Sequence, residues 1–324
     1  MPPALPRRSL LLGAALAAPA AVRAQPAWPE RPIRWIVNFP PGGAADILSR
    51  TLSEQIGTGL GQPIVVENRP GAGGMVGSDI VAKARGDAHV VMMSNAASHG
   101  IGPVLYRSVP YDPLGDFIHV ALVGNFPSVL CVGEAVPARS LAEFVALARA
   151  RGGLNYGSGG NGTMNHLTGA LFARAAGITL THVPYRGSAP AMTDVMGGQI
   201  PALMESLPTA LGNIRAGRLR PLASSEAAAD PALPGVPSFA EAGFPAVQST
   251  NWFGFSTAAG IPGTVLARWT AVITGALAAP ALRERFAAIG VRPGALGPED
   301  YAALIRSELD RWREVIRSAG ITAE

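Results

Sequence analysis

Cysteine is nearly missing from this sequence: Cys131 stands alone among 324 residues. One thiol excludes a disulfide framework, a cysteine zinc site and a redox pair, and within the apolar "SVLCV" it reads as a small buried hydrophobe. Lysine is as scarce, with Lys83 its single instance, so the positive charge is almost wholly arginine, a composition that reports a GC-rich genome more than a chemistry. The formal net charge is +4; three of those charges are Arg7, Arg8 and Arg23, so four less three leaves +1 for residues 25–324. That balance gives no footing for a nucleic-acid surface. Beyond the first two dozen residues no charge-free apolar run reaches the roughly 20 residues needed to span a bilayer. The five histidines include no i, i+4 pair and no cluster with carboxylates at metal-ligand spacing, so no metal is expected. Nor is there a Gly-x-Ser-x-Gly nucleophile elbow, since Tyr156 stands two places before Ser158.

What is present begins with a leader. Residues 1–24 carry Arg7 and Arg8, an apolar stretch, and Val22-Arg23-Ala24, the small-x-Ala form of a signal peptidase site. The segment predicts export with cleavage near Ala24. Paired arginines followed by Ser-Leu-Leu fit a twin-arginine signal, and Sec signals carry paired arginines as well, so both routes stay open.

The mature chain alternates short β-rich runs with helical patterns. "IRWIVNF" precedes a helix over 44–58, "PIVVEN" one over 73–84, and "HVVMMS" a turn and short helix. After the extended "FIHVALVGN", the alternation resumes with "SVLCVG" and helices over 140–151, 163–176, 188–196 and 207–216. Such succession predicts parallel sheets with helices on both faces. The last third reads as one strand, "STNWFGFST", then helices over 263–278, 279–289 and 298–318 with no further strand. About 300 residues are too many for one core. The expected division is a discontinuous first domain, 25–125 with 250–324, and a second domain, 126–249, crossed twice near 125 and 250. Two α/β lobes so joined make a hinged clamp with the βα loops facing one cleft.

Those loops are rich in Gly, Pro, Ser and Asn: "PPGGAAD", "NRPGAGGMVG", "SNAASHG", "LNYGSGGNGTMNH" and "VPYRGSAPA". Glycines admit close approach, and a helix start leaves N–H groups without partners, so the corner at Pro41, Gly42, Gly43 and Ala44 suits an anion. Thr163 opens a second helix after "SGGNG", offering its hydroxyl and N–H to the same ligand. Gly157, Gly159 and Gly162 fit the dinucleotide fingerprint, but the strand that follows ends in Pro184, Tyr185 and Arg186 rather than the acid that holds a ribose, so no nicotinamide cofactor is expected. Asp46 and Asp194 read as first-turn carboxylates, His119 and His182 as partly buried strand residues, and His166 as a candidate to face the cleft.

Taken together, "RPIRWIVNFPPGGAADILSRTL", "GQPIVVENRPGAGGMVGSDIVAKA", "LYRSVPYDPLGDF", "LNYGSGGNGTMNHLTGALF", "THVPYRGSAPAMTDVMGGQI" and "VPSFAEAGFP" closely resemble the Bug, or TctC-like, substrate-binding proteins of tripartite tricarboxylate transporters. The resemblance covers nearly all of the mature chain. It implies a periplasmic receptor, α/β with a two-lobed type II binding-protein fold, closing on a small carboxylic acid without a cofactor. The implied partners are that acid and the membrane subunits of such a transporter, with the receptor itself a monomer that binds no nucleic acid. The implied ligand site runs from Phe39 to Asp46, includes Ser94 and Asn95, and takes from the second lobe Ser158, Asn161, Gly162, Thr163 and His166, with Tyr185 and Glu205. Where many relatives have Asp-Asn or Asp-Ser, this chain has Glu205-Ser206, and the longer acid should take up room in the pocket. An exported enzyme acting on a small carboxylic acid is the alternative, and it lacks a general base with an evident partner.

Overall fold

The structure, a computed structural model, describes residues 28–322. The leader and its cleavage point lie outside the described residues.

In the first lobe, strand β1 (Ile33–Val37) turns Ile33, Trp35 and Val37 to one face and Ile36 to the other, as a period of two requires. Helix α1 (Ala44–Leu60) covers the first of these faces and ends at Gly61 in the left-handed conformation, φ 70°. It is followed by β2 (Ile64–Asn68), α2 (Met75–Ala82) and β3 (Val90–Asn95), with β2, β1 and β3 parallel and side by side. A turn of π-helix over Ala97–Ile101 then runs into α3 (Gly102–Leu105).

Strand β4 (Phe117–Val132) is where the lobes meet. Its first part pairs with β9 (Thr250–Ala258) and its last five residues, Ser128–Val132, pair with β7 (Ala202–Ser206) of the second lobe. The sequence reads as two successive extended runs here, "FIHVALVGN" and "SVLCVG", and Pro127 between them lacks the N–H a ladder would use. The proline instead pairs with Thr250 at the very point where the partner strand changes.

The second lobe continues with α4 (Leu141–Ala150), β5 (Leu154–Ser158), α5 (Met164–Ala176), β6 (Leu180–Pro184), α6 (Ser188–Met196), β7, α7 (Leu207–Arg215) and β8 (Arg220–Ser224). The strands run in the order β2-β1-β3-β9-β4-β7-β5-β6, with β8 also on β4. Only the outer groups are parallel; β9 is antiparallel to both β3 and β4, and β4 to β7 and β8, so the all-parallel expectation is corrected. Strand β8, which holds Pro221, escaped the sequence reading.

The remaining helices, α8 (Gly263–Ala278), α9 (Pro280–Ala288) and α10 (Pro298–Ala319), return to the first lobe. Trp269, Ile273 and Phe286 share a core with Trp35, Leu48 and Phe255, and Trp35 meets Phe255 edge-on at 5.0 Å. Full burial of side chains this large stabilises by about 1.5–3 kcal/mol each. Buried Glu308 on α10 accepts the indole N–H of Trp252 at 3.1 Å and of Trp312 at 2.9 Å, tying the last helix to β9. A two-residue strand, β10 (Arg292–Pro293), adds to β4 between α9 and α10, correcting the expectation of an all-helical tail.

Candidate functional site

A cleft partly open to solvent lies between the lobes. From the first lobe it takes the β1–α1 loop (Phe39, Pro40, Gly43, Ala44), the end of β3 (Asn95, Ala96) and β9 (Asn251, Phe253). From the second it takes the starts of three helices: Thr163 to Asn165, Gly187 with Ser188, and Glu205 with Ser206. Among the described residues no lysine or arginine lines it. The N-terminal ends of α1, α5, α6 and α7 all reach this space, and their first N–H groups lack intrahelical acceptors, fewer of them at α6 and α7, where Pro190 and Pro208 have none and Glu205 takes that of Ser206. Four such ends supply positive potential without a cationic side chain.

The β1–α1 loop is held from behind. Asp46, buried in the first turn of α1, accepts the Gly42 N–H at 3.0 Å and is bonded by Arg50 and by the Asn68 amide, each at 3.0 Å. Burial opposes its charge, yet Arg50, Gly42 and Asn68 together hold its carboxyl below the usual range. Gly42 has φ +80°, a turn conformation that demands glycine, whereas Gly43 is extended at φ −82° and caps the helix with no side chain. Asn95 is braced by Asn38, to which its amide donates at 2.8 Å, and its own oxygen caps the Ser98 N–H. Ser94 lies deeper, its hydroxyl bonded with Ser256 and Tyr301 inside the first lobe.

On the opposite wall Thr163 caps α5. Its hydroxyl donates to Gly160 O at 2.8 Å and accepts the His166 N–H at 3.2 Å. Proton and lone pair are thus engaged within the loop, which leaves the main chain of this turn to face the cleft. Thr163→Val is therefore expected to lower apo stability by about 1 kcal/mol through loss of the cap, read by urea unfolding. His166 is turned away from the cleft, stacked on His182 at 4.0 Å with its Nδ1 accepting the Gly162 N–H. Ser158 bonds His182 Nε2 at 2.7 Å. Burial keeps the His166 and His182 rings neutral, pulling them down to about 4 and about 3.

Asn161 and Tyr185 border a second, wider space of about 1210 Å³ that shares Phe39, Pro40 and Gly187 with the first and has Tyr106 and Arg186 on its walls. Asp194 is near the end of α6, not in its first turn, and accepts the Tyr185 hydroxyl at 2.6 Å. At the boundary between the two spaces the lobes touch: Gly187, φ +109°, lies so close to Pro40 that a Cβ there would stand 2.9 Å from the proline ring.

Among the described residues Glu205 is the one ionisable side chain lining the cleft. It is 1% exposed, and its Oε1 accepts the Ser206 N–H at 2.8 Å and the Asn165 amide at 3.1 Å. Burial pushes it up to about 7 against these donors and the nearby Ser188 hydroxyl, while Oε2 has no partner of hydrogen-bonding geometry. Asn165 also accepts from the Ser128 hydroxyl at 2.7 Å, which in turn accepts from Asn251 at 2.9 Å. Donors therefore run in one direction, from β9 through β4 to Glu205. The sequence placed Glu205 at a strand end; it carried no signal that Asn165, Ser128 and Asn251 converge on it.

Residues 48–321 match the model of the tripartite tricarboxylate transporter family receptor. A Pseudomonas sp. (strain P51) protein, named for its place in the tcbD-tcbE intergenic region, is 40% identical over 96% of this chain and 94% of its own. Among solved structures, "R. palustris Rpa4515 with adipate" is 31% identical with a TM-score of 0.88, covering 91% of this chain and 99% of the other. "MatC (Rpa3494) from Rhodopseudomonas palustris with bound malate" is 29% identical with a TM-score of 0.84, covering 89% and 99%.

Proposed function

We propose a function from one premise: the chain belongs to the tripartite tricarboxylate transporter receptor family, the TctC or Bug type of periplasmic solute-binding protein. It captures a small carboxylate-bearing solute in the interlobe cleft and presents it to transporter membrane subunits, acting as an exported monomer cleaved near Ala24. The observation that carries this reading is the convergence of four helix N-termini from both lobes on a cleft without a cationic side chain. Relatives in the same fold hold adipate and malate, both carboxylates, which supports it.

The energetics are sufficient. Micromolar affinity needs about 8 kcal/mol net, above association costs of at least about 4. Helix N-termini at about 0.5–2 kcal/mol each and four or five charge-assisted hydrogen bonds at about 1.5–3 reach that sum without an arginine clamp. The residues we assign to the carboxylate are the main chain of Gly43 and Ala44 with that of the Thr163 turn.

The test is a native mass spectrum of gently purified protein, to catch the co-purified solute, followed by calorimetry with that acid and its primary amide. The acid is expected to bind and the amide to bind at least tenfold more weakly, about the factor one charge-assisted bond supplies. Equal affinities would remove the anion site. Ligand should also draw the lobes together, and small-angle scattering is expected to show a smaller radius of gyration at saturation. A catalytic role finds less support. Among the described residues Glu205 has no second acid, base or nucleophile of ionisable type beside it in the cleft lining. The bound solute is accordingly expected to be recovered chemically unchanged after prolonged incubation.

A further inference from the structure

Among the described residues no lysine or arginine lines the cleft, and the wider chamber outside it is lined by one arginine. We propose that this outer chamber is a loading site, in which Arg186 gives an anionic solute its first anchorage before the solute passes Pro40 and Gly187 into the cleft. The proposal rests on the carboxylate reading above and adds the step that precedes capture.

The two spaces abut, since Phe39, Pro40, Gly159, Thr163 and Gly187 line both. Their charges differ. Arg186 is the one charged side chain on the outer wall among the described residues, and no acid joins it there. Its guanidinium forms no hydrogen bond or ion pair among the described residues. Arg69, next to Pro70 of the same chamber, is by contrast engaged with Glu67 at 2.9 Å. Asp194 accepts the hydroxyl of Tyr185 and does not line the chamber. The charge of Arg186 is therefore open to a solute.

The wall contributed by the first lobe is main chain. Gly71, Ala72 and Gly73 hold positive φ, of 143°, 46° and 63°, and the N–H groups of this turn find no main-chain acceptor among the described residues. Successive N–H groups in such a turn form a concavity that suits an anion. The lobes approach closely here, because a Cβ on Gly73 would stand 2.9 Å from the Tyr106 hydroxyl and 3.4 Å from the carbonyl oxygen of Asn161. An anion in the chamber thus meets a guanidinium from one lobe and main-chain donors from the other.

Magnitude decides between storage and loading. Arg186 is exposed, and an exposed ion pair supplies at most about a fivefold gain, too little to store a solute but enough to multiply its presence at the mouth. Storage falls to the helix starts of the inner cleft. A cation at the entrance acts on the rate of arrival and on its salt dependence, since its field is screened within about 10 Å at 0.1 M salt. The bonds of the seated solute are left alone, because Arg186 does not line the cleft.

The experiment follows tryptophan fluorescence of the mature protein by stopped flow, with succinate, adipate and benzoate as probes, at about 20 mM and about 500 mM sodium chloride. Arg186→Gln is expected to lower the association rate about threefold to fivefold at low salt and to match the parent at high salt, with dissociation no faster than the parent's. Arg186→Lys keeps the charge and should keep most of the rate, while Arg186→Glu should slow arrival further. Equal melting temperatures check that the variants fold alike. An association rate in Arg186→Gln equal to the parent's at low salt would overturn the loading site and leave the carboxylate reading standing. Dissociation more than about twofold faster would overturn it as well, since Arg186 would then touch the seated solute. Failure of all three probes to bind the parent protein would overturn both readings.

Discussion

Gly43→Val is expected to abolish solute binding, by at least a hundredfold, while the apo melting temperature stays within a few degrees of the parent. Gly43 is extended, φ −82° and ψ 170°, a backbone conformation open to any residue. A Cβ there would have Pro40 O at 3.7 Å and Ser188 Oγ at 3.9 Å as its nearest neighbours, ordinary contacts. The first lobe thus has room for a Cβ at this position. The ligand does not, because the Cβ looks across the cleft toward Ser188 and the valine methyls would fill the approach to the α1 N-terminus. Loss of even three charge-assisted bonds at about 1.5 kcal/mol each exceeds the hundredfold mark. Gly42 provides the control: at φ +80° any side chain is strained, so Gly42→Val should lower stability first. Calorimetry together with thermal unfolding separates the two. Normal affinity in Gly43→Val would show that the corner is only a turn.

Glu205→Gln is expected to raise apo stability at pH 8 and to lower it by about 1–2 kcal/mol at pH 4, where the carboxyl is protonated in both states and only the unmatched amide N–H counts. The carboxyl titrates near 7 in the folded chain against 4.5 for an unperturbed glutamate, so between these values the folded state holds a proton that the unfolded chain has released. Stability therefore falls as pH rises from about 4.5 to about 7, and the full penalty stands above 7. Its ceiling is about 3 kcal/mol at about 1.4 kcal/mol per pH unit. The glutamine amide leaves one buried N–H unmatched, at about 1–2 kcal/mol, so a net gain of about 1–2 kcal/mol is expected at pH 8. Denaturant unfolding at the two pH values measures it. A variant less stable at pH 8 than the parent would mean that the ionised carboxylate is well solvated in the free protein.

Much of this architecture was readable from pattern. The helix expected over 188–196 is observed as Ser188–Met196, and that over 44–58 as Ala44–Leu60, because apolar periodicity and glycine or threonine starts are local signals. What stayed hidden depends on distant partners. Strand β4 is continuous because β9 and β7 take it up in turn, which nothing near Pro127 announces. The five-residue β8 and two-residue β10 exist only because β4 offers an edge. At the cleft, Phe39, Gly43, Ala44, Asn95, Thr163 and Glu205 come together as their loop positions suggested, while Ser94 and His166 turn to bonds within their own lobes. The hydroxyl of Thr163 and the bare oxygen of Glu205 are matters of angle, and angles belong to the assembled chain.

The touch of Pro40 on Gly187 bears on rates rather than on affinity. A solute leaving past this contact has to wait for it to part, so the frequency of parting limits escape along that route. Two solutes that differ widely in contacts would then share nearly one residence time whenever both unbind faster than the mouth opens, and their difference in affinity would be carried by how often each closes the mouth on arrival. The contact is one proline ring against one glycine backbone. Drawing the lobes apart at this point would release the solute without any competition for its own contacts.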